Sequence, residues 1–213
     1  MTDTGFRWTR LRRPLAAVLL GGALAGSLGG CVEMIVGGAV MGTVAAADRR
    51  TLGAQTEDKT IAVKAEVRVP AVAGENAHVN IASFNRRVLL TGEVRDAAAK
   101  AAVEREVRAI QGVLEVANEL EVGGASTYTS RANDGLITTK VKASLVDMKT
   151  ISANSFKVVT ERGTVYLMGR VTQREGMVAS DVTRGVNGVE KVVKIFDYIS
   201  EDELKNLLIK PAL

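Results

Sequence analysis

The sequence predicts an α+β fold in which two copies of one small domain follow each other along the chain. First, a strand segment at Arg87–Val94 recurs as Thr164–Val171, with a glycine in the same place. Second, a Gly-Val-x-x-Val segment that begins at Gly112 recurs at Gly188, in nearly the same register. Third, apolar residues alternate in the strand segments and recur at helical spacing between them. We expect each copy to form a small mixed three-stranded sheet with two helices on one face.

In the first copy, the pattern predicts a helix at 57–69, strands at 79–84 and 88–94, a second helix from Asp96 to Gly112, and a last strand at 113–122. Asp96 is a favourable N-cap residue, and a glycine is a favourable residue after a helix. The first two strands form an antiparallel hairpin. The helix that follows makes the third strand parallel to the second.

In the second copy, the same reasoning predicts strands at 156–160 and 165–171, a helix that ends at Gly188, and a strand at 189–199. A polar linker joins the copies, and Ser200 with Glu203 forms a capping box that starts a terminal helix. The predicted division is a signal peptide at 1–30, a tether at 31–54, the first copy at 55–123, a linker at 124–132, the second copy at 133–199 and a C-terminal helix at 200–213.

The first thirty residues have the features of a secretory signal: an arginine-rich start, a short apolar run and small residues. They carry a net charge of +3, so only +1 of the total of +4 remains for the other residues. This removes the usual argument for nucleic-acid binding, which requires a basic face. Leu28-Gly29-Gly30-Cys31 resembles the lipobox of bacterial lipoproteins, in which the cysteine is acylated after cleavage. An ordinary cleaved leader with a chance cysteine is the alternative.

If lipidation occurs, two or more acyl chains on Cys31 anchor the protein stably to a membrane. Val32 follows where an inner-membrane lipoprotein typically has aspartate, which favours the outer membrane. The Gly/Ala-rich segment from Val32 to Ala47 is too short for an ordinary membrane span and is expected to be a surface-lying or flexible tether. A second membrane-inserted element is the alternative for this segment.

The sequence predicts no catalytic residue, no metal site and no cofactor. Cys31 is assigned to lipid, and His78, the single histidine, has no ligand-spaced partner along the sequence and is expected at the surface or in a hairpin. Gly92 and Gly169 stand singly in strands, which indicates a bulge or close packing and not a phosphate-binding loop. Tyr128 is expected to be a packing anchor between the copies.

The helix that opens the second copy has two apolar sides. With 100° of rotation per residue, Ile137, Val141, Leu145 and Met148 form one stripe that faces the core. A second, weakly apolar side is flanked by lysines; its predicted lipid-binding residues are Leu136, Thr139, Lys140, Lys142, Ala143 and Val146. These features fit a helix that lies on an anionic bilayer. The alternative is that the outer aliphatic residues are isolated at the surface or pack against the linker or the first copy.

The first copy has Val63 and Val67 on the corresponding helix, but Glu57, Asp58 and Glu66 make that helix less attractive to anionic headgroups. We therefore assign lipid contact to the second copy and a docking or spacing role to the first.

The repeated strand-glycine-valine hairpin, the helix and the closing Gly-Val-x-x-Val of each copy resemble the BON domain. With the lipobox, the tether, Ala47-Asp48-Arg49-Arg50-Thr51 and Ile137-Thr138-Thr139-Lys140-Val141, nearly the whole chain resembles the dual-BON outer-membrane lipoproteins of the DolP type. Two departures are Leu136, where the family often has an aromatic residue, and a longer terminal helix.

The resemblance implies a non-enzymatic, lipid-anchored protein on the periplasmic face of the outer membrane. It also implies binding to anionic phospholipid, support of outer-membrane integrity, and links to division sites and outer-membrane protein assembly. The alternative function is a protein–protein adaptor that uses the same exposed helix for outer-membrane assembly proteins or an envelope complex. No nucleic-acid partner is expected.

Overall fold

The structure is a computed structural model that describes residues 48–209. The predicted signal peptide, Cys31 and most of the predicted tether lie outside the described residues. Within the described residues, the predicted α+β class is confirmed, because two small mixed sheets each carry helices. Of the helices in this range, none combines the length and the apolar character needed to cross a bilayer.

The first copy contains α1 (Leu52–Ala73), β1 (His78–Phe84), β2 (Arg87–Val94), α2 (Ala97–Arg108), β3 (Glu115–Asn118) and β4 (Glu121–Val122). β1 and β2 are antiparallel, and β3 and β4 both pair with β2 in parallel, as predicted. The single strand predicted at 113–122 is instead two short strands. The ladder is interrupted at Leu120, whose side chain is almost completely buried in the core between the sheet and the helices.

The second copy contains α3 (Tyr128–Asp147), a short 3₁₀ turn (Ala153–Ser155), β5 (Phe156–Glu161), β6 (Thr164–Val171), α4 (Gln173–Arg184) and β7 (Lys191–Tyr198). The sheet has the order β5-β6-β7, with an antiparallel hairpin and a parallel third strand. The terminal helix α5 (Glu201–Ile209) follows. The capping box predicted there is half formed: the Glu203 N–H donates to Ser200 Oγ, but the Glu203 carboxylate pairs with Arg170.

Two helices begin earlier than the sequence pattern predicts, because each has a threonine N-cap. Thr51 accepts a hydrogen bond from the Ala54 N–H, so α1 begins inside the predicted tether. Thr127 accepts from the Ser130 N–H at 3.2 Å, so α3 begins inside the predicted linker. The first turn of α3 and the residues up to 132 thus lie in the segment predicted to link the copies.

Two helices end earlier than predicted. α2 and α4 stop at Arg108 and Arg184, a full turn before the glycines that were expected to end them. Gly112 and Gly188 lie in the turn before the last strand, with φ of 97° and 98°. These values fall in the left-handed region that glycine adopts readily, so the repeated glycines mark the turn and not the helix end.

Each copy has its own core on the helical side of its sheet. In the first copy, Ile61 and Val69 of α1 pack with Val103 of α2 against Val88 and Leu90 of β2. In the second, residues of α3 and α4 pack against β5, β6 and β7. The prediction of two helices on one face of each sheet agrees with this arrangement.

The opposite faces of the two sheets pack against each other. Ala82, Phe84 and Leu89 of the first copy form one buried cluster with Tyr166 and Met168 of the second. Residues 48–209 thus form four layers, with helices outside and two sheets inside. This contact buries β2 on both faces and explains why Val88, Leu89 and Leu90 are apolar in succession.

Candidate membrane-contact surface and interdomain contacts

The inward side of α3 is the side that the helical periodicity predicts. Ile137, Val141 and Leu145 are 1% exposed or less and belong to the core of the second copy. Met148 is half-buried at the end of the helix. The rotation of α3 about its axis therefore agrees with the sequence prediction.

The outward side of α3 carries all the predicted lipid-binding residues. Leu136 and Val146 are 62% and 68% exposed, although both are large aliphatic side chains. The whole predicted set is exposed: Leu136, Thr139, Lys140, Lys142, Ala143 and Val146. Since these side chains face solvent, the alternative in which Leu136 and Val146 pack against the linker or the first copy is wrong.

Tyr128 extends this side of α3 toward its N-terminus. It was predicted to anchor the packing of the two copies, but it is 85% exposed, so that prediction is wrong. Its direction differs from that of Leu136 by about 80° of helical rotation, and exposed Ala132 lies between them. We call Tyr128, Ala132, Leu136, Thr139, Ala143 and Val146 together the α3 surface. Tyr128 was not predicted to belong to this surface. The N-cap preference of Thr127 was the signal in the sequence that would have placed Tyr128 in the first turn of α3.

The charges around the α3 surface are mostly positive. Lys140 and Lys142 are exposed on its two sides, and neither forms an ion pair with another described residue. Lys149 is exposed just after the helix, and Asp147 is the exposed acidic residue in the last turn. The Arg131 guanidinium stacks on the Tyr128 ring, with its carbon 4.6 Å from the ring centroid.

The corresponding helix of the first copy, α1, also exposes aliphatic side chains. Val63 and Val67 are 59% and 75% exposed. Three acidic residues were expected to make α1 less attractive to anionic headgroups. Two of them do not present an uncompensated charge at the surface, because Asp58 is buried and Glu57 pairs with Arg86. Only Glu66 fits that expectation, so the difference between the helices is smaller than the sequence suggests.

A buried aspartate in each copy holds the turn of the β-hairpin. Asp58 accepts hydrogen bonds from the Asn85 and Arg86 N–H groups, at 2.7 and 2.8 Å. Asp134 accepts from the Arg162 and Gly163 N–H groups at 2.9 Å. The sequence signal was present, since the two aspartates occupy matching positions of the repeat. Their role is to fix the hairpin to the first helix of the copy.

Two arginines near the end of the predicted tether connect to both copies. The Arg49 guanidinium donates two hydrogen bonds of 2.7 Å to the Glu175 carboxylate, and a third to the Arg170 carbonyl. Arg50 pairs with Asp58 at 2.8 Å and lies over the Phe84 ring. Burial would raise the pKa of Glu175, but its bonds to Arg49 and to the Thr172 N–H hold it below the usual value.

Gly92 and Gly169 are closely packed against neighbouring backbone atoms, as predicted. A Cβ on Gly92 would lie 2.1 Å from the His78 carbonyl oxygen, and its φ of 105° is in the left-handed region. A Cβ on Gly169 would lie 2.6 Å from the Ser155 carbonyl oxygen. Neither glycine forms a loop that could hold a phosphate, because both lie inside hydrogen-bonded strands.

His78 lies beside two carboxylates, those of Glu93 and Glu161. Its Nδ1 lies 3.2 Å from Glu93 Oε2, across the hairpin, and 3.8 Å from Glu161 Oε1 of the second copy. His78 begins the hairpin strand β1, as expected, but the fold brings it two carboxylate partners that no spacing along the sequence indicates. The partners are set by strand register and by sheet-to-sheet packing, neither of which appears as a spacing along the sequence.

The two carboxylates of this cluster have opposite pKa shifts. Burial would raise the pKa of Glu93, but a hydrogen bond from the Ser126 N–H and the charge of Arg162 hold it below the usual value. The pKa of Glu161 is raised, chiefly by burial, although the neighbouring His78 acts in the other direction. The ionised form of Glu161 is thus poorly compensated.

Comparison with known proteins identifies the repeated unit. The BON domain family model matches residues 57–124 and 133–199. The outer membrane lipoprotein DolP of Haemophilus influenzae is 36% identical over 185 residues, covering 86% of this chain and 95% of that protein. A 21 kDa hemolysin of Actinobacillus pleuropneumoniae is 30% identical over 154 residues, covering 71% of this chain and 79% of its own length.

A solved structure of CdsD, a structural protein of the type III secretion system of Chlamydia trachomatis, covers 68% of this chain and 97% of its own. Its identity of 12% and TM-score of 0.29 are too low to support any argument. The similarity to the Haemophilus protein, in contrast, supports an outer-membrane-associated lipoprotein of the envelope. With two matched domains and a relative aligned over nearly its full length, the chain belongs to the BON domain family, as a dual-BON protein of the DolP type.

Proposed function

We propose that this protein is anchored by lipid on Cys31 to the periplasmic face of the outer membrane and binds anionic phospholipid through the α3 surface. The observation that carries the proposal is the exposure of Leu136 and Val146 beside lysines that have no partner among the described residues. Supporting outer-membrane integrity is the role that the family suggests. The proposal contains no catalytic step and no cofactor.

The chemistry of the α3 surface favours a bilayer interface. Aliphatic side chains enter the boundary between headgroups and acyl chains, whereas lysines remain near the phosphates. Tyr128 has the mixed character of residues that are enriched at this boundary, with an apolar ring and a polar hydroxyl. The small residues Ala132 and Ala143 allow the helix backbone to approach the surface closely.

The binding energy of this surface alone is modest. Two lysines contribute about 1 kcal/mol each near an anionic surface. Partial burial of Leu136 and Val146 contributes about 1.5 kcal/mol each. The sum of about 5 kcal/mol, before the cost of ordering, corresponds to a dissociation constant near the millimolar range.

A covalent anchor makes such weak binding sufficient. The chain between Cys31 and Asp48 is short and, fully extended, spans at most about 60 Å. A short tether of this kind keeps the second binding event at an effective concentration in the millimolar range. Lipid on Cys31 and the α3 surface would then be two attachments to the same membrane, and together they would bind it more tightly than either does alone.

The test is vesicle binding by the L136E/V146E variant. Both side chains point to solvent, so the fold should be retained, because surface changes usually cost within about 0.5 kcal/mol. The full chain is mixed with phosphatidylglycerol vesicles, and contact of α3 with the membrane is measured as the protection of α3 amides from hydrogen exchange. The protection that the vesicles add should fall at least tenfold in the variant. Vesicles of phosphatidylcholine should give little protection even with the unaltered protein.

Two controls make the result specific. The variant V63E/V67E makes the same chemical change on α1 and should retain α3 protection. The variant K140E/K142E should lose binding more at low salt than at high salt, because screening already weakens the lysine contribution. If L136E/V146E stays folded and protects α3 as before, the proposal is wrong. Protection of α3 by an outer-membrane assembly protein, but not by vesicles, would favour the adaptor function instead.

The integrity role needs a separate measurement in cells. A strain that lacks the gene should become more permeable to detergent or to a large antibiotic, and the unaltered gene should restore the barrier. The L136E/V146E gene should restore it poorly at equal protein level, whereas V63E/V67E should restore it fully. If both variants restore the barrier equally, the α3 surface is not required for the integrity of the outer membrane.

A further inference from the structure

His78, Glu93 and Glu161 bring three ligands for a metal ion together between the two copies. One ligand atom from each of them lies within 4.8 Å of the other two. The Nδ1 of His78 is 3.2 Å from Glu93 Oε2 and 3.8 Å from Glu161 Oε1. Atoms bound to one tetrahedral ion at about 2.0 Å are separated by about 3.3 Å, so small side-chain movements would complete the geometry.

The two buried carboxylates of this cluster have few ion-pair partners. Glu93 and Glu161 are 1% and 8% exposed. Arg162 donates to Glu93 at 2.7 Å and to Glu121 at 3.0 Å, so its guanidinium is shared between those two carboxylates. Among the described residues, His78 is the one basic group within ion-pair distance of Glu161. A buried carboxylate with so little compensation is costly.

Glu93 is arranged so that it can serve two cations at once. Its Oε1 accepts the Arg162 hydrogen bond, whereas Oε2 faces His78. The Ser126 N–H donates to Oε2 at 2.9 Å and fixes the direction of the carboxylate. Such a hydrogen bond to a ligand oxygen is common around metal ions, because it orients the ligand.

A buried hydroxyl near the cluster has no hydrogen-bond partner. Thr91 is 1% exposed, and its Oγ1 has no partner among the described residues. Because Thr91 and Glu93 are alternate residues of β2, their side chains are on the same face of the sheet. The Thr91 hydroxyl lies near enough to the Glu161 carboxylate to lower its pKa by hydrogen bonding, although no hydrogen bond of ordinary length joins them. The hydroxyl is therefore directed at one of the carboxylates of the cluster.

The cluster is open to solvent on one side. A cleft of about 300 Å³ between the copies is lined by His78 and Glu161, together with Arg131 and Asp134 of α3. The His78 side chain is 22% exposed, so an ion has a path to it. An entry path is one of the requirements for a reversible metal site.

We propose that His78, Glu93 and Glu161 form a binding site for a divalent transition-metal ion, with Zn²⁺ as the best match. One imidazole nitrogen and two carboxylate oxygens are ligands that Zn²⁺ accepts readily, whereas Mg²⁺ and Ca²⁺ prefer oxygen alone. Because Glu161 belongs to the second copy and the other two ligands to the first, the ion links the two copies. The site is separate from the α3 surface.

The experiment is a Zn²⁺ titration of the full chain in detergent, after any free thiol has been blocked and bound metal removed by chelation. Since His78 is the single histidine, its ring gives one histidine signal in NMR spectra of isotopically labelled protein. That signal should shift or broaden with a one-to-one stoichiometry. An amount of Zn²⁺ about 100 times the dissociation constant should raise the Tm by about 5–10 °C. Mg²⁺ at the same concentration should have no such effect.

Three variants identify the ligands. H78Q should weaken Zn²⁺ binding at least 100-fold, and E161Q at least tenfold. E121Q is the matched control, because Glu121 contacts the same Arg162 but supplies no ligand, and it should bind Zn²⁺ as the unaltered protein does. Circular dichroism without metal establishes that each variant is folded. If Zn²⁺ changes neither the histidine signal nor the Tm, or if H78Q and E161Q both bind it with unchanged affinity, the proposed site does not exist.

Discussion

The pair formed by Arg49 and Glu175 offers the most direct test of how the end of the predicted tether stabilises the folded protein. The Arg49 side chain is 8% exposed and that of Glu175 is 3% exposed, so both charges are largely removed from water. The change R49A deletes the guanidinium and leaves the carboxylate buried. It removes two side-chain hydrogen bonds of 2.7 Å and one to the Arg170 carbonyl.

The expected loss follows from what remains around Glu175. Removal of one partner of a buried ion pair costs about 3–5 kcal/mol, because the other charge stays buried. Here Glu175 also accepts a hydrogen bond from the Thr172 N–H at 3.0 Å as part of a capping box, which retains some compensation. We therefore expect a loss of about 3 kcal/mol, or a decrease in Tm of about 6–12 °C for a protein of this size.

The assay is thermal unfolding of the full chain in detergent, followed by circular dichroism. E175Q and the double variant R49A/E175Q complete a double-mutant cycle, in which the coupling energy isolates the pair. Because the Gln side chain is neutral, the double variant should be more stable than R49A alone. R49K should fall between R49A and the unaltered protein, since a lysine restores the charge but not the two parallel hydrogen bonds.

The pH dependence gives an independent check. The pKa of Glu175 is lowered in the folded state, although burial acts to raise it. Its contribution is therefore present above the ordinary glutamate pKa of about 4.5 and is lost as the pH falls through the lower, folded-state value. The Tm difference between the unaltered protein and R49A should shrink below about pH 4.5. A Tm of R49A within about 1–2 °C of the unaltered protein at neutral pH would refute the reasoning.

Four further changes test the packing and the charges. I137E places a charge in the core and should unfold the second copy, in contrast to L136E/V146E; its loss of α3 amide protection is the readout. G92A should cost at least about 2 kcal/mol in thermal unfolding, through strain and the clash with the His78 carbonyl. The exposed helical change G135A should instead stabilise by about 0.5–1 kcal/mol. E161Q without metal should raise the Tm at pH 7.5, because the pKa of Glu161 is raised by burial, and this gain should disappear as the pH falls toward 4.5.

Local structure was the part that the sequence predicted well. The hairpin strands begin and end within a residue of the predicted positions, and Asp96 caps α2 by accepting from the Ala99 N–H. These features depend on alternation and on near neighbours in sequence. The bounds of α1 and α3 were predicted less well, because Gly53 and Gly135 weaken the helical pattern and the threonine caps decide where the helices begin.

The exposed side of α3 could be predicted because it follows from the periodicity of a single helix. The cluster around His78 could not, because Glu93 lies across the hairpin and Glu161 in the other copy, and the three meet only when the sheets pack. One signal was present: β2 and β6 each contain a short run of consecutive apolar residues, at 88–90 and at 165–168, in the middle of an otherwise alternating pattern. Such strands are buried on both faces, so they indicate that something must cover the second face of each sheet.

The two copies are related as the subunits of a twofold dimer are. Each end of the contact between their sheets therefore uses positions that are equivalent in the repeat. When β2 is aligned with β6, Glu93 is equivalent to Arg170, and Asn85 is equivalent to Arg162. At one end, Asn85 donates to Asp197, which has Arg170 beside it, so acid and base balance on the same sheet. At the other end, Glu93 pairs in the ladder with Glu121, and both must be compensated by Arg162 from the second copy. The interface is thus acidic at the end that holds Glu93, Glu121 and Glu161, and the metal site that we propose lies at that end.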